Sequence, residues 1–162
     1  MKDDIKIGQV ITTHGIKGEI KIKSDFKYKE KVFKKGFRIY INHQEYTINT
    51  YRIHKGYDMV TLDGFDNINQ ILFMMKKEVF VKRSDIKLDN NEYLDSDLMG
   101  FTVMIEGKEH GFITKINNMN NNKLLVNFYL DKEYLIPYHQ DFIKEIDFKN
   151  KVIIINYVEG LF

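Results

Sequence analysis

The sequence predicts a mainly β fold in two tandem units. Short runs of alternating apolar and polar residues, typical of half-buried strands, recur through both halves of the 162-residue chain. Residues 1–82 carry 16 Lys+Arg and 10 Asp+Glu, a net charge of +6, whereas residues 83–162 carry 9 and 13, a net charge of −4. The acidic half begins with a polar stretch without periodicity, residues 83–92. We therefore expect a first domain over 1–82, a linker over 83–92 and a second domain over 93–162.

The first half is expected to form a closed β-barrel with a short helix. Its predicted strands are 5–11, 20–23, 37–41, 46–53, 59–62 and 79–81. A helix is predicted over 66–77, because apolar residues recur there at helical spacing and two lysines follow them. Several short strands favour closure, since closure removes exposed strand edges.

A tight turn is predicted between the first two strands. Gly15 and Gly18 bracket two residues, which is typical of a reversal that needs positive φ or close backbone approach. We assign His14, Gly15 and Gly18 to this structural turn. The glycine spacing is not that of a phosphate loop, and a strand follows where a helix should begin. A plain hairpin turn is the simpler interpretation, and a contact surface is the alternative.

Lysines are concentrated at 27–35, where Tyr28 and Phe33 are interleaved with them. Basic and aromatic residues together can bind a phosphate backbone and stack on bases. The alternative is a solvated loop whose aromatic side chains anchor it to the core. The positive charge of the first half has the same two interpretations, nucleic-acid binding or solvation of a barrel surface.

The second half is also rich in predicted strands, at 101–105, 111–116, 124–129, 134–136, 143–148 and 151–157. The apolar residues 152–155 are continuous, which predicts burial on both faces of the sheet. The asparagine-rich segment 117–122 is predicted to be a loop between strands. The apolar residues 160–162 are expected to dock on the domain.

No catalytic arrangement is found in the sequence. Cysteine is absent, which excludes disulfides, thiolate zinc sites and a cysteine nucleophile. The five histidines lack metal-ligand spacing, and no serine lies in a nucleophile-elbow motif. No apolar run approaches the roughly 20 residues that span a bilayer, and the first ten residues do not form a signal peptide. A cytoplasmic binding protein without cofactor or metal is the expectation.

Two groups of motifs carry a family resemblance. The segment 8–19, with Gly8-Gln9-Val10 followed by Thr13-His14-Gly15-Ile16-Lys17-Gly18-Glu19, resembles the start of the RimM family of bacterial ribosome maturation factors. The second half resembles the PRC-barrel domain of that family, in Asp97-Leu98-Met99-Gly100, Gly111, Leu135-Ile136-Pro137-Tyr138, Ile143, Glu145-Ile146-Asp147 and Gly160-Leu161. The resemblance covers nearly the whole chain in the right order.

The resemblance implies two tandem small β-barrels, a six-stranded translation-factor-type barrel followed by a PRC barrel. It also implies a non-enzymatic factor for 16S rRNA processing and assembly of the head of the 30S subunit. The implied partners are the immature 30S subunit, its 16S rRNA and ribosomal protein number nineteen of the small subunit. We expect a monomer. A barrel of this shape could instead hold a flavin or other small ligand, an alternative that rests on fold analogy alone.

The expected binding residues divide between the two units. Lys17, Lys21 and Lys23 lie at or beside the predicted turn and are expected to bind rRNA. The family usually has two adjacent aromatic residues, tied to ribosome binding, just before its Asp-Leu-x-Gly motif. Here Tyr93 and Leu94 occupy those positions, and with Asp97 they are expected to bind the ribosomal protein. Either Leu94 supplies enough apolar contact, or binding depends more on other residues.

Overall fold

The computed structural model describes residues 3–162. The chain divides into two compact units, the first ending at Asn90 and the second comprising Asn91–Phe162. Both units consist mainly of β-strands, as the sequence predicts.

Six strands form a closed barrel in the first unit, in the order β1-β2-β5-β4-β3-β6. Their bounds are β1 Asp4–His14, β2 Glu19–Lys23, β3 Arg38–Ile41, β4 Gln44–His54, β5 Tyr57–Leu62 and β6 Glu78–Lys82. Every neighbouring pair is antiparallel. The predicted closure of this barrel is confirmed.

Apolar side chains fill the barrel interior. Alternate residues of the strands point inward and are fully or almost fully buried, namely Ile7, Val10, Ile20, Ile22, Ile39, Ile41, Ile48, Val60, Leu62, Val79 and Val81. Burying each large aliphatic side chain contributes roughly 1.5–3 kcal/mol. This packed interior gives no support to the flavin-binding alternative.

The lysine-rich segment 27–35 is anchored by its aromatic residues. It contains the short helix α1, Lys29–Val32, and the flanking Tyr28 and Phe33 are both buried. The Phe33 ring stacks on Tyr51, with ring centroids 5.7 Å apart. The Tyr51 hydroxyl donates a 2.6 Å hydrogen bond to Asp58, whose other carboxylate oxygen lies 2.9 Å from the Lys29 ammonium. The anchored-loop interpretation is therefore confirmed for these two aromatic residues.

The helix predicted over 66–77 is wrong. The segment instead forms two 3-10 turns, Ile68–Gln70 and Leu72–Met74. Ile71 between them has φ −117° and ψ 0°, which ends the first turn, and Lys76 has a positive φ of 64°. The Ile68 N–H donates to the Ile16 carbonyl in the turn after β1, and the Lys76 N–H donates to a carbonyl of β1 itself, so neither continues a helical ladder. Tertiary hydrogen bonds thus override the helical spacing.

The second unit is a six-stranded sheet in the order β10-β9-β8-β7-β12-β11. The bounds are β7 Thr102–Ile105, β8 Lys108–Met119, β9 Asn122–Tyr129, β10 Lys132–Pro137, β11 Ile143–Asp147 and β12 Val152–Ile155. β7 and β12 are parallel, and the other neighbours are antiparallel. Its core comprises Leu98, Phe101, Val103, Ile105, Ile113, Leu125, Ile136, Ile153 and Ile155.

Two predictions in the second unit are wrong. Ile153 and Ile155 point into the core while Val152 and Ile154 are half-buried, so β12 is not buried on both faces. The segment 117–122 is not a loop, because only Asn120 and Asn121 form the turn between β8 and β9. Asparagine adopts the positive φ of that turn readily, which explains the composition.

The predicted docking of residues 160–162 is confirmed. Leu161 packs on the core of the second unit. The Phe162 ring lies 4.8 Å from Tyr134 and 5.5 Å from His110, measured between centroids.

The first residues of the expected linker are held by the first unit. Arg83–Asp85 forms a 3-10 turn, Ile86 after it is buried, and Asp85 accepts a 3.0 Å hydrogen bond from Arg38. The linker over 83–92 remains a prediction, and a protease-sensitive part of it is expected after Ile86.

Candidate functional site

The turn between β1 and β2 has a fixed backbone and exposed side chains. Gly15 and Gly18 have φ of 71° and 86°, a region that strongly favours glycine. The Ile68 N–H donates a 3.0 Å hydrogen bond to the Ile16 carbonyl, and a Cβ on Gly18 would lie 3.3 Å from the Asn67 backbone. The Ile16 side chain is nevertheless 81% exposed, and Lys17 is exposed beside it. A fixed backbone lowers the entropy cost of binding through these side chains.

The three lysines expected to bind rRNA do not meet at one point. Lys17 lies in the turn. The Lys21 ammonium lies 4.1 Å from the centre of the Tyr57 ring, a cation–π contact that fixes its position. Lys23 is the last residue of β2. It lies opposite Gln9 of β1 in the strand register, and it is exposed.

Beside this turn, two histidines from non-adjacent strands come into contact. The rings of His14 on β1 and His54 on β4 have centroids 5.2 Å apart, although β2 and β5 lie between those strands in the barrel order. Burial and the nearby cations Arg52, His14, Lys55 and Lys21 lower the pKa of His54. A lowered pKa favours the neutral imidazole.

Glu19 and Arg52 form a bidentate ion pair next to the histidines. The Arg52 Nε and Nη2 atoms lie 2.8 and 2.6 Å from the two carboxylate oxygens of Glu19. The hydrogen bonds from Arg52 lower the pKa of Glu19, and its charge adds to the effect. An open depression of about 370 Å³ adjoins the pair and is lined by His14, Gly15, Ile16, Lys17, Glu19, Arg52 and Thr61.

Tyr93, Leu94 and Asp97 lie together in the second unit, but they are not equally exposed. Leu94 is only 8% exposed, and its N–H donates a 2.9 Å hydrogen bond to the Asp97 carboxylate. Tyr93 packs on the core, and its ring lies 5.0 Å from that of Phe148, which is 38% exposed. The surface available at this place is therefore formed by Tyr93 and Phe148, whereas Leu94 and Asp97 stabilise the turn beneath it.

Sequence reasoning did not find the cluster around His54. In the sequence, His54, Lys55 and Tyr57 lie in a hairpin about 40 residues from His14. The bulges in β1 and β4 shift the strand register and decide which side chains meet. No sequence spacing reveals such bulges. The alternation of Arg52 and His54 along one strand was the only feature of the sequence that indicated, weakly, that their side chains share one face.

Two negative findings apply to residues 3–162. Within this range no group of three or more His, Cys, Asp or Glu side chains could hold a metal ion. No helix in the same range is long and apolar enough to cross a membrane.

Comparison with known proteins identifies the family. The model of the RimM N-terminal domain matches residues 5–86, and the model of the RimM PRC barrel domain matches residues 95–161. The chain belongs to the RimM family. The ribosome maturation factor RimM of Staphylococcus epidermidis is 38% identical over 98% of this chain and 98% of its own length. That of a Staphylococcus aureus strain is 40% identical over 97% of this chain and 98% of its own.

Two solved structures of RimM proteins are also similar. A 16S ribosomal RNA processing protein RimM from Pseudomonas aeruginosa has a TM-score of 0.46 and 20% identity, over 96% of this chain and 98% of that one. The N-terminal domain of RimM from Thermus thermophilus has a TM-score of 0.46 and 15% identity, over 52% of this chain and 95% of that one.

Proposed function

We propose that this member of the RimM family is a non-enzymatic assembly factor that binds the immature 30S subunit at its head and assists 16S rRNA processing. The observation that carries the proposal is the tandem match of both RimM domains, with relatives named ribosome maturation factor over almost the entire chain. The protein acts in the cytoplasm as a monomer.

The first unit is proposed to bind rRNA. Its strands present Lys17, Lys21 and Lys23 on the polar side of β2 and its turn, while Ile20 and Ile22 fill the barrel. These cations can therefore contact phosphates without disturbing the core. Each contact releases counterions, so this binding is salt-dependent.

The second unit is proposed to bind a basic protein, ribosomal protein number nineteen of the small subunit. Residues 91–162 contain seven lysines, no arginine and eleven acidic residues, a net charge of −4 that disfavours rRNA. The Tyr93 and Phe148 rings offer a small aromatic surface, a type of surface enriched at protein interfaces. Leu94 and Asp97 contribute by holding the turn that presents Tyr93.

Co-sedimentation tests the proposed function. The purified protein should sediment with 30S precursors and not with mature 70S ribosomes. Equal sedimentation with both, or with neither, would contradict the proposal. The visible absorbance spectrum of the same preparation tests the flavin-binding alternative, which predicts a stoichiometric flavin signature.

A further inference from the structure

The outer surface of the first barrel carries an uncompensated cluster of cations around the two histidines. We call it the histidine cluster and define it by its members, which are His14, Glu19, Lys21, Arg52, His54, Lys55 and Tyr57. Its three permanent cations face a single carboxylate, that of Glu19, and Arg52 occupies both oxygens of that carboxylate. Within residues 3–162, no carboxylate pairs with Lys21 or Lys55. Two positive charges therefore remain before either histidine is protonated.

The cluster is held in place by contacts that need no ligand. The Glu19–Arg52 pair joins β2 to β4, and the Tyr57 ring holds the Lys21 ammonium. The contact between His14 and His54 joins β1 to β4. Because Lys21, Arg52 and the two imidazoles are held before binding, an anion placed among them meets donors that are already ordered.

We propose that His14, Lys21, His54 and Lys55 form a phosphodiester-binding site for RNA. This inference rests on the proposed function and deepens it, because it adds His14, His54 and Lys55 to the rRNA contact proposed for Lys21. Imidazolium and ammonium groups donate charge-assisted hydrogen bonds to phosphate oxygens. The exposed Ile16 and Lys17 at the nearby turn extend the same surface.

Binding at this site is coupled to proton uptake. The groups facing His54 are His14 from β1, Glu19 and Lys21 from β2, Arg52 from its own strand, Lys55 from the following turn and Tyr57 of β5, its partner in the strand register. Four of these six groups are cations or can become cations, and they disfavour the imidazolium. A bound phosphate adds negative charge beside His54 and so favours the imidazolium. RNA should therefore bind more tightly as the pH falls from about 8 to about 6.

Histidine ring resonances of the full chain provide the test. We would follow the pKa of each histidine by NMR at constant ionic strength, first without ligand, then with inorganic phosphate, and then with a single-stranded uridine hexamer. The pKa of His54 should rise by about 0.5 or more with the hexamer, and by less with free phosphate. The pKa of His43, in the turn between β3 and β4, should not move and serves as the internal control. An unmoved His54, or an equal rise at His43, would overturn the site.

A matched pair of variants gives a second readout. His54→Gln should weaken hexamer binding at pH 6 by up to about threefold, the limit that a pKa rise of about 0.5 allows, and much less at pH 8, whereas His43→Gln should change neither. Equal loss in both variants would refute the site. Far-UV circular dichroism and urea unfolding confirm that each variant is folded, and the wild-type NMR titration decides the question if one is not.

The outcome is separable from that of the proposed function. If the protein sediments with 30S precursors but the pKa of His54 does not change when the hexamer is added, the site is wrong and the function stands. If the hexamer raises the pKa of His54 but the protein never sediments with 30S precursors, the site stands and the function is wrong.

Discussion

The ring of His14 lies against the ring of His54, with centroids 5.2 Å apart, and so connects two strands that are separated by two others in the barrel. This contact gathers cations of three strands on one outer surface. Burial and the neighbouring cations lower the pKa of His54 on this surface, and the hydrogen bonds from Arg52 lower the pKa of Glu19, so the stability of the first unit should depend on pH.

Acid should destabilise the first unit in two separate windows. His54 has a lowered pKa in the folded state, so the unfolded chain takes up its proton first, and stability falls as the pH drops below about 6.5. Glu19 has a lowered pKa too, so the contribution of its ion pair is present above about 4.5 and is lost as the pH falls through the folded value. Urea unfolding from pH 8 to pH 3 would measure both. His54→Gln should flatten the first window and Glu19→Gln the second; a profile that neither change alters would contradict the assignment.

Replacing three lysines should flatten the salt dependence of ribosome binding. Each of Lys17, Lys21 and Lys23 that contacts a phosphate contributes about −0.7 to −0.9 to the slope of log K against log salt. The triple glutamine variant should therefore have a shallower slope in co-sedimentation with 30S precursors across a salt series. The matched control replaces the exposed Lys108, Lys132 and Lys144 of the second unit, and an equal effect there would show that net charge alone matters.

Leu94→Ala should mainly lower the stability of the second unit rather than weaken its binding directly. Its side chain is buried, and truncating a buried leucine costs about 2–5 kcal/mol. Phe148→Ala, at a ring that is 38% exposed, should cost less and weaken co-sedimentation with 30S precursors in fully folded protein. Chemical unfolding and sedimentation of the two variants separate these roles. Normal binding by folded Phe148→Ala protein would place the partner surface elsewhere.

Gly111→Ala should be among the most destabilising single substitutions in the second unit. A Cβ there would lie 2.0 Å from the Phe128 carbonyl oxygen, and its φ is 87°. Gly107→Ala is the matched control, because Gly107 has a φ of 79° but no atom within 4 Å of the added carbon. The control should lose about 1–2 kcal/mol from its backbone alone, and Gly111→Ala should lose that and a further ~1–3 kcal/mol from the clash. Equal losses in the free energy of unfolding, measured with urea, would show that β8 and β9 move apart at no cost to admit the added carbon.

Limited trypsin digestion should cut the native protein first after Lys87. Arg83 precedes it in a turn held by the buried Ile86, whereas the backbone from Lys87 to Asn90 belongs to no strand or helix. Exposed segments without regular structure are the preferred sites of nicking. Mass spectrometry of the first fragments would show residues 1–87 and 88–162. Early cuts within 20–60 or 110–150 would contradict the division into two stable units.

The strands are predictable because their apolar residues alternate, and the turn at Gly15 and Gly18 is predictable from glycine chemistry. The segment 66–77 resembles a helix in sequence because a spacing of three residues suits a 3-10 turn as well as an α-helix. Its true path depends on hydrogen bonds to β1 and the turn after it, which no local pattern contains. The histidine cluster escapes sequence reasoning for a similar reason, since it arises from strand bulges and barrel curvature rather than from spacing.

The parallel pairing of β7 with β12 limits the order in which the second unit can form during translation. Thr102 pairs with Val152, so the two strands are separated by 50 positions of chain. The core stays incomplete until Ile153 and Ile155 have left the exit tunnel, because both belong to the last strand. The first barrel can close earlier, once β6 is available to pair with β1. A nascent chain whose first 100 or so residues have emerged should thus already contain the folded, basic barrel, while the acidic second unit is still incomplete.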